Sequence, residues 1–303
     1  MNKYVLELMQ MQATKDFLVA IDSDGCVFDA MGIKQKECFC PMMIAYFGLQ
    51  PVAQAARECK EFADLYSKTR GANRHKTMVR ILTELLPSHP MVKDRGFEVP
   101  NFDHYIKWSN DPDSLLSNEG LARAVQSASG QAKEQLQQAL KWNTRVDEMV
   151  AEIVKNVPAF PYVRQSLEKV FERADIIVCS STPVEALKRE WQEHDAAKFA
   201  KVIAGQEMGK KDEHLAVMAE KYDKDKILMI GDALGDLMAA NKNGVRFYPI
   251  IAGDEDASWK KFHDEAFDKF VEGTYAGEYE KGVISEFEKF LPDHPAWLRT
   301  RNE

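Results

Sequence analysis

The sequence predicts an α/β fold whose parallel sheet is interrupted by an inserted all-helical domain. In the second half of the chain, short apolar segments that end at acidic or hydroxyl residues alternate with helical patterns. Such alternation is typical of a parallel sheet with right-handed crossover helices. Residues 31–159, by contrast, have helical patterns and no obvious core strand. We therefore expect a sheet-containing core and a separate helical domain that leaves it after the first strand.

Four apolar segments are the predicted strands. Each contains β-branched or aromatic residues and stops at small or polar ones, as fully buried strands do. They are FLVAID (17–22), ADIIVCSST (174–182), KILMIGDA (226–233) and VRFYPII (245–251). Helical patterns lie between or beside them, at 183–194, 211–222 and 235–244. Because sites in parallel sheets form at the carboxyl ends of strands, the polar residues that end these segments are the candidates for function.

The domain boundaries are predicted from where the helical patterns begin and end. Residues 1–30 and 160–303 are assigned to the α/β core, with a helical and aromatic-rich extension after residue 254, and residues 31–159 to the helical domain. The N-terminal residues have helical spacing and lack the continuous apolar region of a signal peptide. No apolar run approaches the length of a transmembrane helix.

Composition and charge exclude several classes of partner. The 303 residues carry a net charge of -8, whereas nucleic acids and anionic membranes select basic surfaces. The five cysteines form no CxxC pair or Cys/His cluster, which argues against zinc and for buried thiols in a reducing cytoplasm. An anionic substrate must therefore be held by local positive charge or by a metal ion.

Four polar clusters carry the candidate chemistry. They are Asp22-Ser23-Asp24-Gly25, Ser180-Ser181-Thr182, Lys211 within GQEMGKKDEH, and Gly231-Asp232-Ala233-Leu234-Gly235-Asp236. Each cluster alone also fits a turn, a helix cap or a solvated lysine. Together they fit phosphoryl transfer: carboxylates from two strands can hold Mg²⁺, a hydroxyl and a lysine can bind phosphate oxygens, and another carboxylate can move the proton.

These clusters resemble the four motifs of the haloacid dehalogenase (HAD) superfamily, present here in order as IDSDG, IVCSS, GKK and IGDALGD. The resemblance covers residues 14–30 and about 160–250, and it implies a Rossmann-like core. The helical insertion between the first and second motifs is similar to the C1-type cap of that superfamily, although this match is in topology alone. The resemblance does not extend to the last fifty residues, so it predicts nothing about them.

The resemblance implies a role for each motif residue. Asp22 would be the nucleophile that forms an aspartyl-phosphate, and Asp24 would be the general acid and base. Asp24 would also ligate Mg²⁺ through its backbone carbonyl. Ser180 would bind the phosphoryl oxygens. The spacing in similar proteins favours Lys211 over Lys210 as the lysine that contacts phosphate.

The fourth motif supplies the remaining metal ligands. The resemblance implies that Asp232 ligates Mg²⁺ directly, together with Asp22, and that Asp236 anchors a metal-bound water or orients the site. Dehalogenase members of the superfamily have no acid at the position of Asp24. Its presence therefore favours phosphate esters, whose leaving alcohol needs a proton.

The helical domain contains the predicted substrate-binding residues Arg70 and Arg74, in SKTRGANRHKTM between two predicted helices. Arginine can bind a second phosphate or a carboxylate through two hydrogen bonds. The alternative is a solvated basic start of a helix.

The predicted function is that of a cytoplasmic Mg²⁺-dependent phosphatase acting on a small phosphorylated metabolite. A phosphomutase of the same superfamily and a non-catalytic phosphate-binding or signalling protein remain open. The sequence leaves the substrate and the oligomeric state open as well.

Overall fold

The structure, a computed structural model, describes residues 3–298. It divides into two compact units. One comprises residues 3–31 and 156–291, and the other comprises residues 32–155 and 292–298. We call them the sheet unit and the helical unit. In the described residues, no helix is both long enough and apolar enough to cross a membrane.

The sheet unit is built on five parallel strands in the order β3-β2-β1-β4-β5, counted over the described residues. The strands are β1 (Phe17–Ile21), β2 (Ala174–Cys179), β3 (Val202–Ala204), β4 (Ile227–Gly231) and β5 (Arg246–Pro249). Strand β1 lies in the middle, and the chain adds strands first on one side of it and then on the other. Ligands in open α/β sheets bind where the strand order reverses in this way.

Helices make up most of the remaining structure. From the N-terminus, the α-helices are α1 (Lys3–Gln10), α2 (Ala30–Ile33), α3 (Cys40–Tyr46), α4 (Ala53–Leu65), α5 (Arg74–Arg80), α6 (Leu86–Ser88), α7 (Pro90–Asp94), α8 (Asp103–Asn110), α9 (Asn118–Ser127) and α10 (Gly130–Ile153). They continue with α11 (Val163–Arg173), α12 (Val184–Glu193), α13 (Lys211–Ala219), α14 (Leu234–Asn243), α15 (Glu255–Lys261), α16 (Phe267–Val271) and α17 (Glu278–Lys289). Turns of π-helix occur at Lys34–Phe39, Ile81–Leu85 and Phe262–Ala266.

Burial explains why the strands read as continuous apolar runs. Every residue of β2 and β4 is buried, and β1 is exposed in part only at its first residue. A parallel sheet covered on both faces leaves no polar face to a central strand. Leu18, Ile177, Met229 and Phe247 belong to one buried cluster. The predicted fold class, a parallel α/β core with an inserted helical domain, is confirmed.

Strand β3 was not predicted from the sequence. It has three residues and pairs with β2, with Ile177 opposite Val202 and Cys179 opposite Ala204. A three-residue run is too short to show any periodicity, so its strand conformation depends on pairing with β2 rather than on local sequence.

The helical unit has an aromatic core. The Phe47 ring centroid lies 5.5 Å from that of Trp142 and 5.8 Å from that of Tyr105. His75 is buried beside them and its Nδ1 lies 2.9 Å from the Tyr105 hydroxyl oxygen. Burial, helped by the nearby cations Arg74 and Lys60, lowers the pKa of His75 to about 3. This histidine is therefore neutral and acts as part of the packing.

The C-terminal segment departs from the predicted domain boundaries. The sequence assigned residues 292–303 to the sheet-containing core, but residues 292–298 pack within the helical unit, and residues 299–303 lie outside the described residues. The Trp297 ring centroid lies 4.7 Å from that of His89 and 6.3 Å from that of Phe62. The backbone N–H of Lys68 also donates to the Pro292 carbonyl (3.3 Å). These aromatic contacts bridge more than two hundred residues, so no local pattern could predict them.

Candidate active site

The candidate site lies at the carboxyl ends of the three central strands of the sheet unit. Asp22 follows β1, Ser180 follows β2, and Asp232 follows β4. The backbone N–H of Asp22 donates to the Ile230 carbonyl (3.0 Å), which extends the pairing of β1 with β4 to the point where both strands end. Parallel strands in register bring their carboxyl ends to one edge, so residues far apart in sequence meet there.

Lys211 connects two of the candidate carboxylates. Its Nζ lies 2.7 Å from Asp22 Oδ2 and 2.5 Å from Asp236 Oδ1. The side chains of Asp22 and Asp236 are almost completely buried, and that of Lys211 is 15% exposed. Burial alone would lower the pKa of Lys211, but Asp22 and Asp236 outweigh it and hold this pKa well above its ordinary value. Lys211 is therefore a fixed positive charge beside Asp22.

Three buried carboxylates form a group that suits a metal ion. Asp22, Asp232 and Asp236 each present one oxygen, and these oxygens lie within 4.8 Å of one another. All-oxygen donors are the set that Mg²⁺ prefers. Lys211 contacts two of these three carboxylates, so negative charge is in excess in the group, and a divalent cation would offset it. The residues present therefore fit Mg²⁺.

Asp236 also organises the start of helix α14. Its Oδ2 accepts hydrogen bonds from the backbone N–H groups of Asp232 (3.2 Å) and Ala233 (3.1 Å). Burial raises the pKa of Asp236 to about 6, against the lowering effect of Lys211 and of the backbone N–H of Ala233. The sequence predicted Asp236 outside the direct ligands, whereas here it offers an oxygen beside those of Asp22 and Asp232.

Asp24 and Ser180 are linked through Thr182. The Thr182 hydroxyl donates to Asp24 Oδ2 (2.7 Å), and the Thr182 backbone N–H donates to Ser180 Oγ (3.3 Å). Ser180 is buried and Asp24 is half-buried. Within the Ser180-Ser181-Thr182 cluster, Ser181 is exposed, whereas Thr182 contacts Asp24.

A buried hydrogen-bond network fixes the loop that carries Asp22 and Asp24. The Trp191 Nε1–H donates to Ser23 Oγ (2.9 Å), and that hydroxyl donates to Glu190 Oε2 (3.2 Å). The Ser23 backbone N–H donates to Asp22 Oδ1 (2.8 Å). Helix α12 thus holds this loop from outside the motif. The sequence analysis missed Trp191 because a tryptophan on an amphipathic helix gives no sign of what its indole N–H contacts.

The two adjacent lysines of the third cluster have different surroundings. Lys210 is exposed and precedes α13, where its backbone N–H donates to Glu213 Oε2 (2.8 Å). Lys211 is the first residue of α13 and contacts Asp22. The structure thus brings Lys211, rather than Lys210, to the carboxylates.

Arg70 and Arg74 lie in the helical unit and have partners within it. Arg70 is 4% exposed and its Nη1 donates to the Leu65 carbonyl (2.9 Å). Arg74 begins helix α5, and its Nη1 lies 2.9 Å from Asn143 Oδ1 and 2.7 Å from Asp147 Oδ1. These contacts give both arginines a role in packing the helical unit, and their binding of substrate stays a prediction.

One protein-family model matches part of this chain. The model of the haloacid dehalogenase-like hydrolase family matches residues 109–250. The match includes the segments of Ser180, Lys211 and Asp232 but begins after the segment of Asp22. Asp22 lies outside the match, but the structure places its carboxylate beside Lys211 and near the carboxylate of Asp232. No match was found among curated protein sequences.

Several solved structures are similar to this chain. A protein from Bacteroides fragilis assigned as a haloacid dehalogenase-like hydrolase is 16% identical, with a TM-score of 0.49, over 80% of this chain and 93% of its own. A haloacid dehalogenase-like family hydrolase from Streptococcus pneumoniae is 13% identical, with a TM-score of 0.43, over 82% of this chain and 91% of its own. Both TM-scores are below 0.5, so these similarities are too low to indicate a function for this chain.

Proposed function

We propose that this chain, whose residues 109–250 match the haloacid dehalogenase-like hydrolase family, is a Mg²⁺-dependent phosphatase of that family that hydrolyses a small phosphorylated metabolite through an aspartyl-phosphate. The observation that carries the proposal is the contact of Lys211 with Asp22 inside a group of buried carboxylates. A carboxylate can attack phosphorus only where positive charge offsets its repulsion from the phosphate. Lys211 and a bound cation would supply that charge.

Asp22 would be the nucleophile. One of its carboxylate oxygens forms a bond to phosphorus as the bond from phosphorus to the substrate oxygen breaks. Lys211 Nζ, 2.7 Å from Asp22 Oδ2, would bind a non-bridging oxygen of the phosphoryl group. The Ser180 hydroxyl, at the end of β2, would bind another. Charge on these oxygens is stabilised best by donors that are already fixed in place.

Asp24 would move the proton in both half-reactions. It would give its proton to the leaving alcohol when Asp22 takes the phosphoryl group, and it would then take a proton from the water that hydrolyses the aspartyl-phosphate. The acid is thereby regenerated, inorganic phosphate leaves, and Asp22 returns to its free carboxylate.

The carboxylates of Asp22 and Asp232 and the backbone carbonyl of Asp24 would hold Mg²⁺, with Asp236 beside them. When bound, Mg²⁺ offsets the negative charge of the carboxylates and of the phosphate. Arg74 is a better candidate than Arg70 for a second anionic group of the substrate, because its side chain is 28% exposed and that of Arg70 is buried.

The test is phosphate release from p-nitrophenyl phosphate and from a panel of sugar, nucleotide and acid phosphates, with and without Mg²⁺. We expect Mg²⁺-dependent release that falls at least about a thousand-fold in Asp22→Asn, because the amide cannot replace the nucleophile. Asp29→Asn is the matched control, since Asp29 is an exposed carboxylate in the same loop. It should keep wild-type activity.

Other outcomes would point elsewhere. Release that survives in Asp22→Asn contradicts the mechanism. Interconversion of two phosphate isomers without release of phosphate identifies a phosphomutase. Metal binding without turnover of any ester favours a protein that binds phosphate but does not hydrolyse it.

A further inference from the structure

We propose that Thr182 is a positioning residue that holds the carboxyl group of Asp24 in the orientation needed for proton transfer. This inference rests on the proposed function, in which Asp24 is the general acid and base. Thr182 itself is not assigned a contact with substrate or metal. It would act through the hydrogen bond from its hydroxyl to Asp24 Oδ2 (2.7 Å).

The hydrogen bond joins two different strand ends. Asp24 lies in the loop after β1, and Thr182 lies after β2, 158 residues further along the chain. An aspartate in a loop can rotate about its side-chain bonds, and one short hydrogen bond to a fixed donor restricts that rotation. Thr182 would therefore supply an orientation that the loop of Asp24 does not provide by itself.

The backbone of Thr182, which carries the donor hydroxyl, makes hydrogen bonds through both its carbonyl and its N–H. The Thr182 carbonyl accepts a hydrogen bond from the Gln206 backbone N–H (3.1 Å), and the Thr182 N–H donates to Ser180 Oγ (3.3 Å). The fit at Gly205 is so close that a Cβ there would lie 2.5 Å from the Thr182 carbonyl oxygen. Thr182 thus sits on a backbone that has little freedom to move.

This arrangement gives Thr182 two neighbours that act on opposite ends of the reaction. Ser180 would bind the phosphoryl oxygens, and Asp24 would protonate the leaving oxygen. Both hydrogen bonds start from Thr182, so this residue would hold the distance between the Ser180 hydroxyl, which binds phosphate, and the Asp24 carboxyl group, which transfers the proton. Rate depends steeply on such distances, because misplacing a catalytic group by about 1 Å can cost about a hundred-fold.

The test compares esters whose leaving groups differ in their need for a proton. An alkyl phosphate needs the acid, whereas p-nitrophenyl phosphate has a leaving phenolate that is stable without a proton. In Thr182→Val, which keeps the shape and removes the donor, we expect kcat/KM to fall about ten-fold or more for the alkyl phosphate. For the p-nitrophenyl ester we expect a fall of about two-fold or less, because its phosphoryl transfer does not depend on the acid.

Two further variants complete the experiment. Thr182→Ser keeps the hydroxyl and should restore the wild-type ratio of the two kcat/KM values. Thr274→Val is the matched control, because Thr274 is an exposed threonine of the sheet unit whose hydroxyl bonds only locally, to the Lys269 carbonyl. It should leave both values unchanged. Thermal melting of each variant checks that it is folded.

Equal losses on both esters in Thr182→Val, or no loss on either, overturn the inference and leave the proposed function standing. Failure of Thr182→Ser to restore the ratio also overturns it. A wild type that hydrolyses no ester of the whole panel, alkyl phosphates included, overturns the proposed function itself, and this inference with it.

Discussion

Asp236 shows how much one buried side chain can contribute at the residue scale. It accepts from Lys211, binds two backbone N–H groups at the start of α14, and lies with Asp22 and Asp232 in one carboxylate group. The sequence predicted a supporting role for it, and the contacts extend that role to fixing Lys211. A carboxylate with so many fixed partners cannot be replaced without moving its neighbours.

Asp175 is a second buried aspartate, and it is structural rather than catalytic. Its carboxylate accepts hydrogen bonds from the backbone N–H and the hydroxyl of Thr14 (both 2.7 Å) and from the Tyr222 hydroxyl (2.7 Å). Lys201 Nζ lies 3.2 Å away. Burial opposes the charge, but these hydrogen bonds outweigh it and hold the pKa of Asp175 below its ordinary value.

We predict that Asp175→Asn lowers the free energy of unfolding at pH 7 by about 2–3 kcal/mol, since hydrogen bonds to a charged acceptor are lost. A depressed pKa means that the stabilisation is fully present above about pH 4, the ordinary aspartate value, and is lost as the pH falls through the folded value. Denaturant unfolding at pH 7 and at about pH 3 measures both effects.

The difference in free energy of unfolding between wild type and Asp175→Asn should therefore be smaller at about pH 3 than at pH 7. Asp16→Asn, at an exposed aspartate beside the same segment, is the control and should change stability little at either pH. If this difference in free energy of unfolding grows on acidification, the direction of the pKa shift of Asp175 is contradicted.

At the scale of elements, the turn from β4 into α14 is the most constrained part of the site. Gly231 ends β4, and a Cβ on it would lie 2.4 Å from Cβ, Cγ and Oδ2 of Asp236. These atoms are too close for any side chain at residue 231 unless Asp236 moves. The glycine thus lets the strand end directly beneath the carboxylate, which explains its place in the fourth motif.

We predict that Gly231→Ala lowers phosphate release by about ten-fold or more, because displacement of Asp236 also releases its hold on Lys211. Overpacking should also lower the free energy of unfolding by about 1–3 kcal/mol. Initial rates and denaturant unfolding measure the two effects.

Gly235→Ala is the matched control in the same turn. Gly235 is exposed within α14, and a Cβ there has no neighbour within 4 Å. Because alanine favours the helix over glycine, this variant should be stabilised by up to about 1 kcal/mol and remain active. If both variants lose similar activity and stability, the turn tolerates no side chain at either glycine, and contact with Asp236 does not explain the loss in Gly231→Ala.

At the scale of the whole molecule, a metal ion held by these carboxylates would couple its binding to folding of the sheet unit. Asp22 lies near the N-terminus, and Asp232 and Asp236 lie more than two hundred residues later. They meet only when β1 and β4 are paired. An ion held by Asp22 and Asp232 would therefore bind the folded chain in preference to the unfolded one, and it would stabilise the fold.

We predict that Mg²⁺ raises the melting temperature of the chain, with a stabilisation of about 2.7 kcal/mol at a hundred-fold excess over its Kd. Asp232→Asn should lose most of this increment, because it removes a ligand. Asp223→Asn, at a carboxylate whose side chain is 81% exposed in the same unit, should keep it. Thermal melting across a Mg²⁺ series measures the increments, and equal increments in all three proteins would contradict a site at Asp232.

The sequence by itself determined the α/β class, the four longer strands, the helical insertion and the motif residues. These features depend on local patterns: apolar runs that stop at polar residues, and apolar spacing along helices. It also favoured Lys211 over the adjacent Lys210, through motif spacing. The phosphatase function and the catalytic roles of these residues stay proposals until the experiments above are done.

Only the tertiary structure decided which residues meet. Strand β3 exists because β2 offers it hydrogen bonds, and residues 292–298 join the helical unit through Trp297. Thr182 reaches Asp24 only because neighbouring parallel strands end at the same edge of the sheet. Contacts of this kind are set by packing between segments far apart in the chain, and such packing leaves no periodic signal in either segment.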